Sequence, residues 1–141
     1  MSDTDFDPRL KEGPYPLQAL LGMELTGWSE GYARVEMAVS DKVMNRQGIP
    51  HGGVHATLMD SAMGYCGCFT GDPDVRQMAL TLSLTINYIA QAQGTRLIAE
   101  GRVTGGGRKT YFAESALRDE HGTLIATATG VFKLRSPDMA G

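Results

Sequence analysis

One long helical signal, over residues 53–69, is followed only by strand patterns, and that order most narrows what this chain can fold into. Val54, Leu58, Ala62, Tyr65, Cys66 and Phe69 recur at spacings of three to four, one apolar stripe on an amphipathic helix. At about 100° per residue, Gly53, Asp60, Gly64 and Gly67 gather on a different face. Interior glycines cost a helix on the order of 1 kcal/mol each relative to alanine. Close approach to that face by a second backbone, a neighbouring subunit or a ligand is therefore expected. Ahead of the helix, Pro16–Leu21 reads as a short helical turn. Ala33, Val35, Met37 and Val39 then alternate with Arg34, Glu36 and Ala38 as a half-buried strand. Behind it, Leu80, Leu82, Leu84, Ile86 and Tyr88 alternate with Thr81, Ser83, Thr85 and Asn87, which read as the polar face of a strand. Residues 97–103, 111–117 and 124–134 continue the theme, the last two joined by the turn Asp119–Gly122. One amphipathic helix against consecutive, tightly joined strands gives an α+β layer architecture with a mostly antiparallel sheet.

At 141 residues the chain is expected to form one domain, with a loose arm over 1–16 and a tail over 136–141. A net charge of −3 with no basic stripe argues against a nucleic-acid partner. No run of 18 apolar residues is present, so no membrane span is expected. The acidic, polar N-terminus is unlike a signal peptide, and a cytoplasmic protein is the expectation. Cys66 and Cys68 stand two apart on the helix and do not face each other, as suits reduced, buried thiols.

Chemistry concentrates in Asn45–Asp60, NRQGIPHGGVHATLMD. A helix that opens on His51-Gly52-Gly53 leaves its first amides bare, and bare amides attract negative charge or a polarised carbonyl. Asp60, nine residues after His51, is a candidate nucleophile or general base. The pairing points to acyl chemistry, although two glycines serve equally well for a sharp turn into a helix. His51 and His55 are four apart, a spacing compatible with a shared metal. The zinc-protease pattern, however, needs a glutamate where Gly52 stands, and no third ligand lies nearby. No metal or other cofactor is expected. Asn45 reads either as an Asx turn or as an amide that positions water or substrate beside Asp60. Gly105-Gly106-Gly107-Arg108-Lys109 joins two strands, as a flexible hairpin with solvated cations or as a phosphate contact.

Asn45-x2-Gly48-x2-His51-Gly52-Gly53-x6-Asp60, followed by a helix and antiparallel strands, resembles the hotdog-fold acyl-CoA thioesterases. The nearest type is that of phenylacetate degradation (PaaI-like), related to the 4-hydroxybenzoyl-CoA thioesterases. The likeness covers about residues 17–135 and includes Gly94-x2-Leu97-x-Ala99 and Asp119-x2-Gly122-x-Leu124-x-Ala126. It implies a long central helix wrapped by the sheet, subunits that join their sheets into a homodimer or homotetramer, and active sites at the dimer interface. By the same resemblance Asp60 is the catalytic carboxylate, as nucleophile or general base, and the Gly52 amide polarises the thioester carbonyl. His51 orients the turn or touches the thioester group, with Gly53 beside the substrate, and Asn45 holds water or substrate. Relatives place an assisting hydroxyl either one helical turn after the acid, where Gly64 stands, or on the following strand, where Thr81 is the nearest match. Arg108 and Lys109 fall where relatives contact coenzyme A phosphates. Met59, Met63, Tyr65 and Phe69 suit an aromatic or medium-chain acyl group. The implied reaction is hydrolysis of an acyl-CoA to a carboxylic acid and free coenzyme A. The alternatives are a non-catalytic acyl-CoA-binding or regulatory domain and an enoyl-CoA hydratase, which is expected to use an Asp/His pair.

Overall fold

The computed structural model describes residues 6–136 and 138–139. In chain order the elements are α1 (Pro16–Leu21), β1 (Met23–Ser29), β2 (Tyr32–Ala38), α2 (Gly52–Cys66) and β3 (Val75–Arg76). They are followed by β4 (Ala79–Tyr88), β5 (Arg96–Gly106), β6 (Thr110–Asp119), β7 (Leu124–Leu134) and β8 (Asp138–Met139). Six strands form one antiparallel sheet in the order β1-β2-β5-β6-β7-β4, while β3 and β8 pair separately. The expected layer of one long helix on a mostly antiparallel sheet is what the chain adopts. Pro16 opens α1 where a missing N–H costs nothing, and Gly22 closes it at φ 75°.

The sheet curls around α2, which contacts all six of its strands. Ala33, Val35 and Met37, Leu97 and Ala99, and Ala113 and Leu117 supply the inward sides of three neighbouring strands. The helix passes closest at Gly101, where a Cβ would lie 2.6 Å from the carbonyl carbon of Ala62. Close approach thus comes from the sheet glycine. The helical glycines meet side chains of their own chain: a Cβ on Gly67 would sit 2.3 Å from the Tyr111 ring, and one on Gly64 3.9 Å from Phe132.

The buried residues of α2 are His55, Leu58, Met59, Ala62, Met63 and Cys66, whereas Val54 and Tyr65 are half-buried. Wrapping by a curved sheet covers a broader arc than one stripe and rotates it away from the stripe that Val54 and Tyr65 suggest. Met59 and Met63 are fully buried in the core, contrary to their expected place against the acyl group.

Strand β4 breaks the alternation that announces it. Thr81 pairs with Phe132 and Ser83 with Val131, so Leu82 is an extra residue, a β-bulge. Because side chains alternate faces, one extra residue inverts the phase. Thr81 consequently points to the helix side with Phe132, while Ser83, Thr85 and Asn87 share the outer face with Val131, Thr129 and Thr127. The single polar face expected for Thr81 through Asn87 is therefore split.

Of the arm expected over 1–16, residues 1–5 lie outside the described residues, as do 137, 140 and 141 of the expected tail. Residues 6–15 pack against the domain. Phe6 meets Trp28 edge-on at 6.0 Å, Lys11 reaches Glu24 at 3.9 Å, and Glu12 reaches Arg76 at 4.0 Å. A lone aromatic in a polar run gives no periodic sign of this docking.

Candidate active site

His51 caps α2 with φ −66° and ψ 136°. Its Nδ1 accepts the Gly53 N–H at 2.8 Å, and its carbonyl accepts from Val54 and His55 at 2.9 and 3.3 Å. Among the described residues, the Gly52 N–H is the one amide of the first turn left without a partner. It lies at the positive end of the helix dipole, where a donor to developing negative charge is most effective. The Gly52 carbonyl accepts from the Tyr88 hydroxyl at 2.7 Å, and a Cβ on Gly52 would lie 3.3 Å from the Tyr88 ring. The peptide between Gly52 and Gly53 is thus held at both ends, by His51 on its N–H and by Tyr88 on its carbonyl. In the sequence Tyr88 reads only as the last apolar residue of a strand. Its signal was an aromatic side chain with a polar tip closing an alternating run.

Asp60 lies farther along α2, facing β4. Its Oδ1 accepts from Thr81 Oγ1 at 2.8 Å, an approach that the bulge at Leu82 makes possible. Burial lifts the Asp60 carboxyl above its ordinary value, and the Thr81 hydroxyl partly opposes the shift by favouring the charged form. A half-buried carboxylate of raised basicity, held by one donor, is equipped to take a proton from water or to attack a carbonyl. The acid and Thr81 border a cleft of about 480 Å³, which Gly64, Trp28 and Tyr65 also line.

Asn45 adopts the Asx turn: Oδ1 accepts from the Gln47 and Ile49 amides at 2.8 and 3.4 Å. It lines a second, smaller cleft of about 190 Å³ with Gly52, His55 and Tyr88. His55 is 5% exposed, and burial followed by the neighbouring His51 holds its ring below the usual histidine range. Arg108 and Lys109 sit exposed at the β5–β6 hairpin, where the Gly107 N–H reaches the Thr110 carbonyl at 2.8 Å. The Lys109 carbonyl accepts from Leu134, whose strand partner is Ala79, so this tip lies at the Thr81 end of the sheet. Among the described residues, no helix is long and apolar enough to cross a membrane.

The expected residues therefore fall into two groups. Asp60 pairs with Thr81, with Arg108 and Lys109 toward the same end of the sheet. Asn45, His51, Gly52 and Gly53 cluster at the helix start. Asp60 stands eight positions after Gly52, about 12 Å along a helix axis. One chain does not bring the two groups into one cleft.

The Thioesterase superfamily profile matches residues 47–126, from the loop before α2 into β7. A protein of Archaeoglobus fulgidus that bears only a provisional esterase name is 31% identical over 112 residues, 79% of this chain and 70% of its own length. The 1,4-dihydroxy-2-naphthoyl-CoA hydrolase of Listeria monocytogenes is 28% identical, covering 77% of this chain and 87% of that protein. The medium/long-chain acyl-CoA thioesterase YigI of Escherichia coli is also 28% identical, over 83% and 84% of the two chains. Among solved structures, the conserved protein PA5202 of Pseudomonas aeruginosa superimposes with a TM-score of 0.78 at 26% identity, covering 90% of this chain and 97% of that one. The Escherichia coli PaaI protein shares the fold, with a TM-score of 0.74 at 21% identity over 85% and 84% of the two chains.

Proposed function

The chain belongs to the Thioesterase superfamily, and from that membership we propose that it hydrolyses an aryl or aliphatic acyl-CoA to a carboxylic acid and free coenzyme A. The observation that carries the reading is the unpartnered Gly52 N–H at the start of the same helix that presents the Asp60–Thr81 pair. The thioester oxygen accepts from the Gly52 amide, which stabilises the oxyanion that develops as the carbonyl carbon becomes tetrahedral. With Asp60 as general base, water loses a proton to the carboxylate and its oxygen bonds to the carbonyl carbon. The carbon–sulfur bond then breaks and the proton passes to the departing thiolate. With Asp60 as nucleophile, its carboxylate oxygen bonds to the carbonyl carbon and the carbon–sulfur bond breaks, giving a mixed anhydride and the coenzyme A thiolate. Water then cleaves the anhydride to the carboxylic acid and the Asp60 carboxylate, and its proton goes to the thiolate. Either route requires an ionised Asp60, which Thr81 favours. His51 holds the turn through the Gly53 amide, Asn45 lies on the Gly52 side to hold water or substrate, and Arg108 and Lys109 pair with coenzyme A phosphates.

About 12 Å between Gly52 and Asp60 is too far for both to act on one thioester group, so the reading draws the amide from one copy and the acid from another. The free edge of β4 suits such pairing. It is ten residues long, stands at the end of the sheet, and exposes Leu80 and Leu82 at 50% and 56%. A homodimer joined along β4, alone or doubled into a tetramer, is the assembly this reading requires.

A thiol-release assay over short, long and aryl acyl-CoAs, with wild type and Asp60→Asn side by side, tests the proposal. Release of coenzyme A that disappears in the variant supports it. Saturable acyl-CoA binding with no release by the wild type would overturn it in favour of a binding domain.

A further inference from the structure

The cleft beside Asp60 is walled on one side by the N-terminal strap, through Glu12, Gly13 and Tyr15. Trp28, Tyr65 and Met78 give it an apolar wall. That wall is stiff. Trp28 is 7% exposed, its Nε1 donates to the Tyr65 carbonyl at 2.9 Å, and its ring meets Phe6, Tyr65 and Phe69 edge-on at 6.0, 5.4 and 5.6 Å. Tyr15 is bound into the same structure from two directions. Its backbone N–H donates to Gln18 Oε1 at 3.3 Å, and the buried Gln18 donates in turn to the Tyr65 hydroxyl at 3.0 Å. The Tyr15 hydroxyl lies 3.3 Å from Ser61 Oγ, on the residue that follows the acid. The result is a three-aromatic slot of about 480 Å³, in the range of small-molecule pockets, with a carboxylate in its wall.

An acyl-CoA is amphiphilic: its nucleotide end is heavily charged, and only the acyl end gains by entering an aromatic slot. We propose that this cleft receives the acyl group and that Tyr15 is a specificity-determining residue, the strap side chain that limits the length and width of the group admitted. The inference rests on the thioesterase reading above and adds to it which wall of the site selects the substrate. Tyr15 suits the role because the residue is 38% exposed where it lines the slot, its hydroxyl meeting Ser61 rather than being packed in the core. Its replacement opens the slot without removing a core side chain.

The test compares kcat/KM for butyryl-, octanoyl-, palmitoyl- and phenylacetyl-CoA among wild type, Tyr15→Phe and Tyr15→Ala. Tyr15→Phe keeps the ring and is expected to keep the wild-type ranking. Tyr15→Ala is expected to move the ranking toward palmitoyl-CoA, by on the order of tenfold relative to octanoyl- and phenylacetyl-CoA. A uniform change over all four substrates, or an unchanged ranking, overturns the proposal. Calorimetric binding of the same acyl-CoAs to Asp60→Asn, with and without Tyr15→Ala, reads the ranking without turnover. If the wild type cleaves none of them, the thioesterase reading fails. The binding ranking then still decides whether Tyr15 borders the acyl group.

Discussion

Thr81 Oγ1 donates to Asp60 Oδ1 at 2.8 Å, linking the edge strand β4 to the central helix α2. The bond favours the ionised carboxylate in a setting where burial favours the neutral acid. Thr81→Val keeps the shape of the side chain and removes the donor, so the Asp60 pKa should rise further. The acid limb of kcat/KM reports the free enzyme's essential base. In the wild type that limb should fall above the ordinary aspartate value, and in Thr81→Val it should move to still higher pH. A pH–rate profile measures both, and coincident acid limbs would separate Thr81 from the acid.

Asp60→Asn separates the cost of the buried charge from its use. A folded-state pKa raised above the unfolded value means that the fold prefers the protonated acid. That contribution to stability is present below the unfolded pKa and is lost as pH rises through the raised folded value. Near pH 7 the wild type therefore carries a charge its fold disfavours, which an amide of the same shape does not. Thermal unfolding of Asp60→Asn at pH 7 should occur at or above the wild-type temperature, while turnover falls by at least about 100-fold. A variant markedly less stable than wild type at that pH would contradict this balance.

Tyr88 holds the carbonyl side of the peptide whose N–H side is held by His51. Tyr88→Phe leaves the ring against Gly52 and deletes only the hydroxyl. A net hydrogen bond of about 0.5–1.5 kcal/mol, if expressed in the aim of the Gly52 amide, lowers kcat by roughly 2- to 10-fold. KM should move little, since the acyl cleft is walled by other residues. Steady-state kinetics on octanoyl-CoA distinguish this from a structural role, in which thermal stability falls and kcat does not.

How much of this was legible in the sequence follows from which features repeat. Strands β2, β5, β6 and β7 bury residues on one face, so their alternation is written along the chain, and the pattern His51-Gly52-Gly53 with Asp60 marks the central helix. The phase of β4 is not periodic information. Thr81 reads as one of four equivalent polar residues until the register against β7 shows Leu82 to be an extra residue. The helix phase was displaced because six strands wrap α2, so that Met59 and Met63 lie in the core and the slot is walled by Trp28, Tyr65 and Tyr15 from three distant segments. Contacts of that kind depend on the closed fold and leave no local trace. Neither does the separation of Gly52 from Asp60, which is evident only once both are seen to lie along one straight helix.

That separation makes the assembly itself testable at the site. Gly52→Pro removes the amide N–H at the first helical position, where proline is tolerated, and His51 already has the extended backbone that precedes a proline. Gly52→Pro and Asp60→Asn are each expected to be inactive as homodimers. In a dimer holding one chain of each kind, one site combines both defects and the other combines the intact Gly52 of one chain with the intact Asp60 of the other. Such a heterodimer, isolated with two different affinity tags, should recover about half of wild-type turnover, and a statistical mixture about a quarter. If each site instead belonged to a single chain, every site in the heterodimer would carry one defect and no turnover would return. Coenzyme A release by the isolated heterodimer therefore distinguishes a site shared between two copies from a site within one.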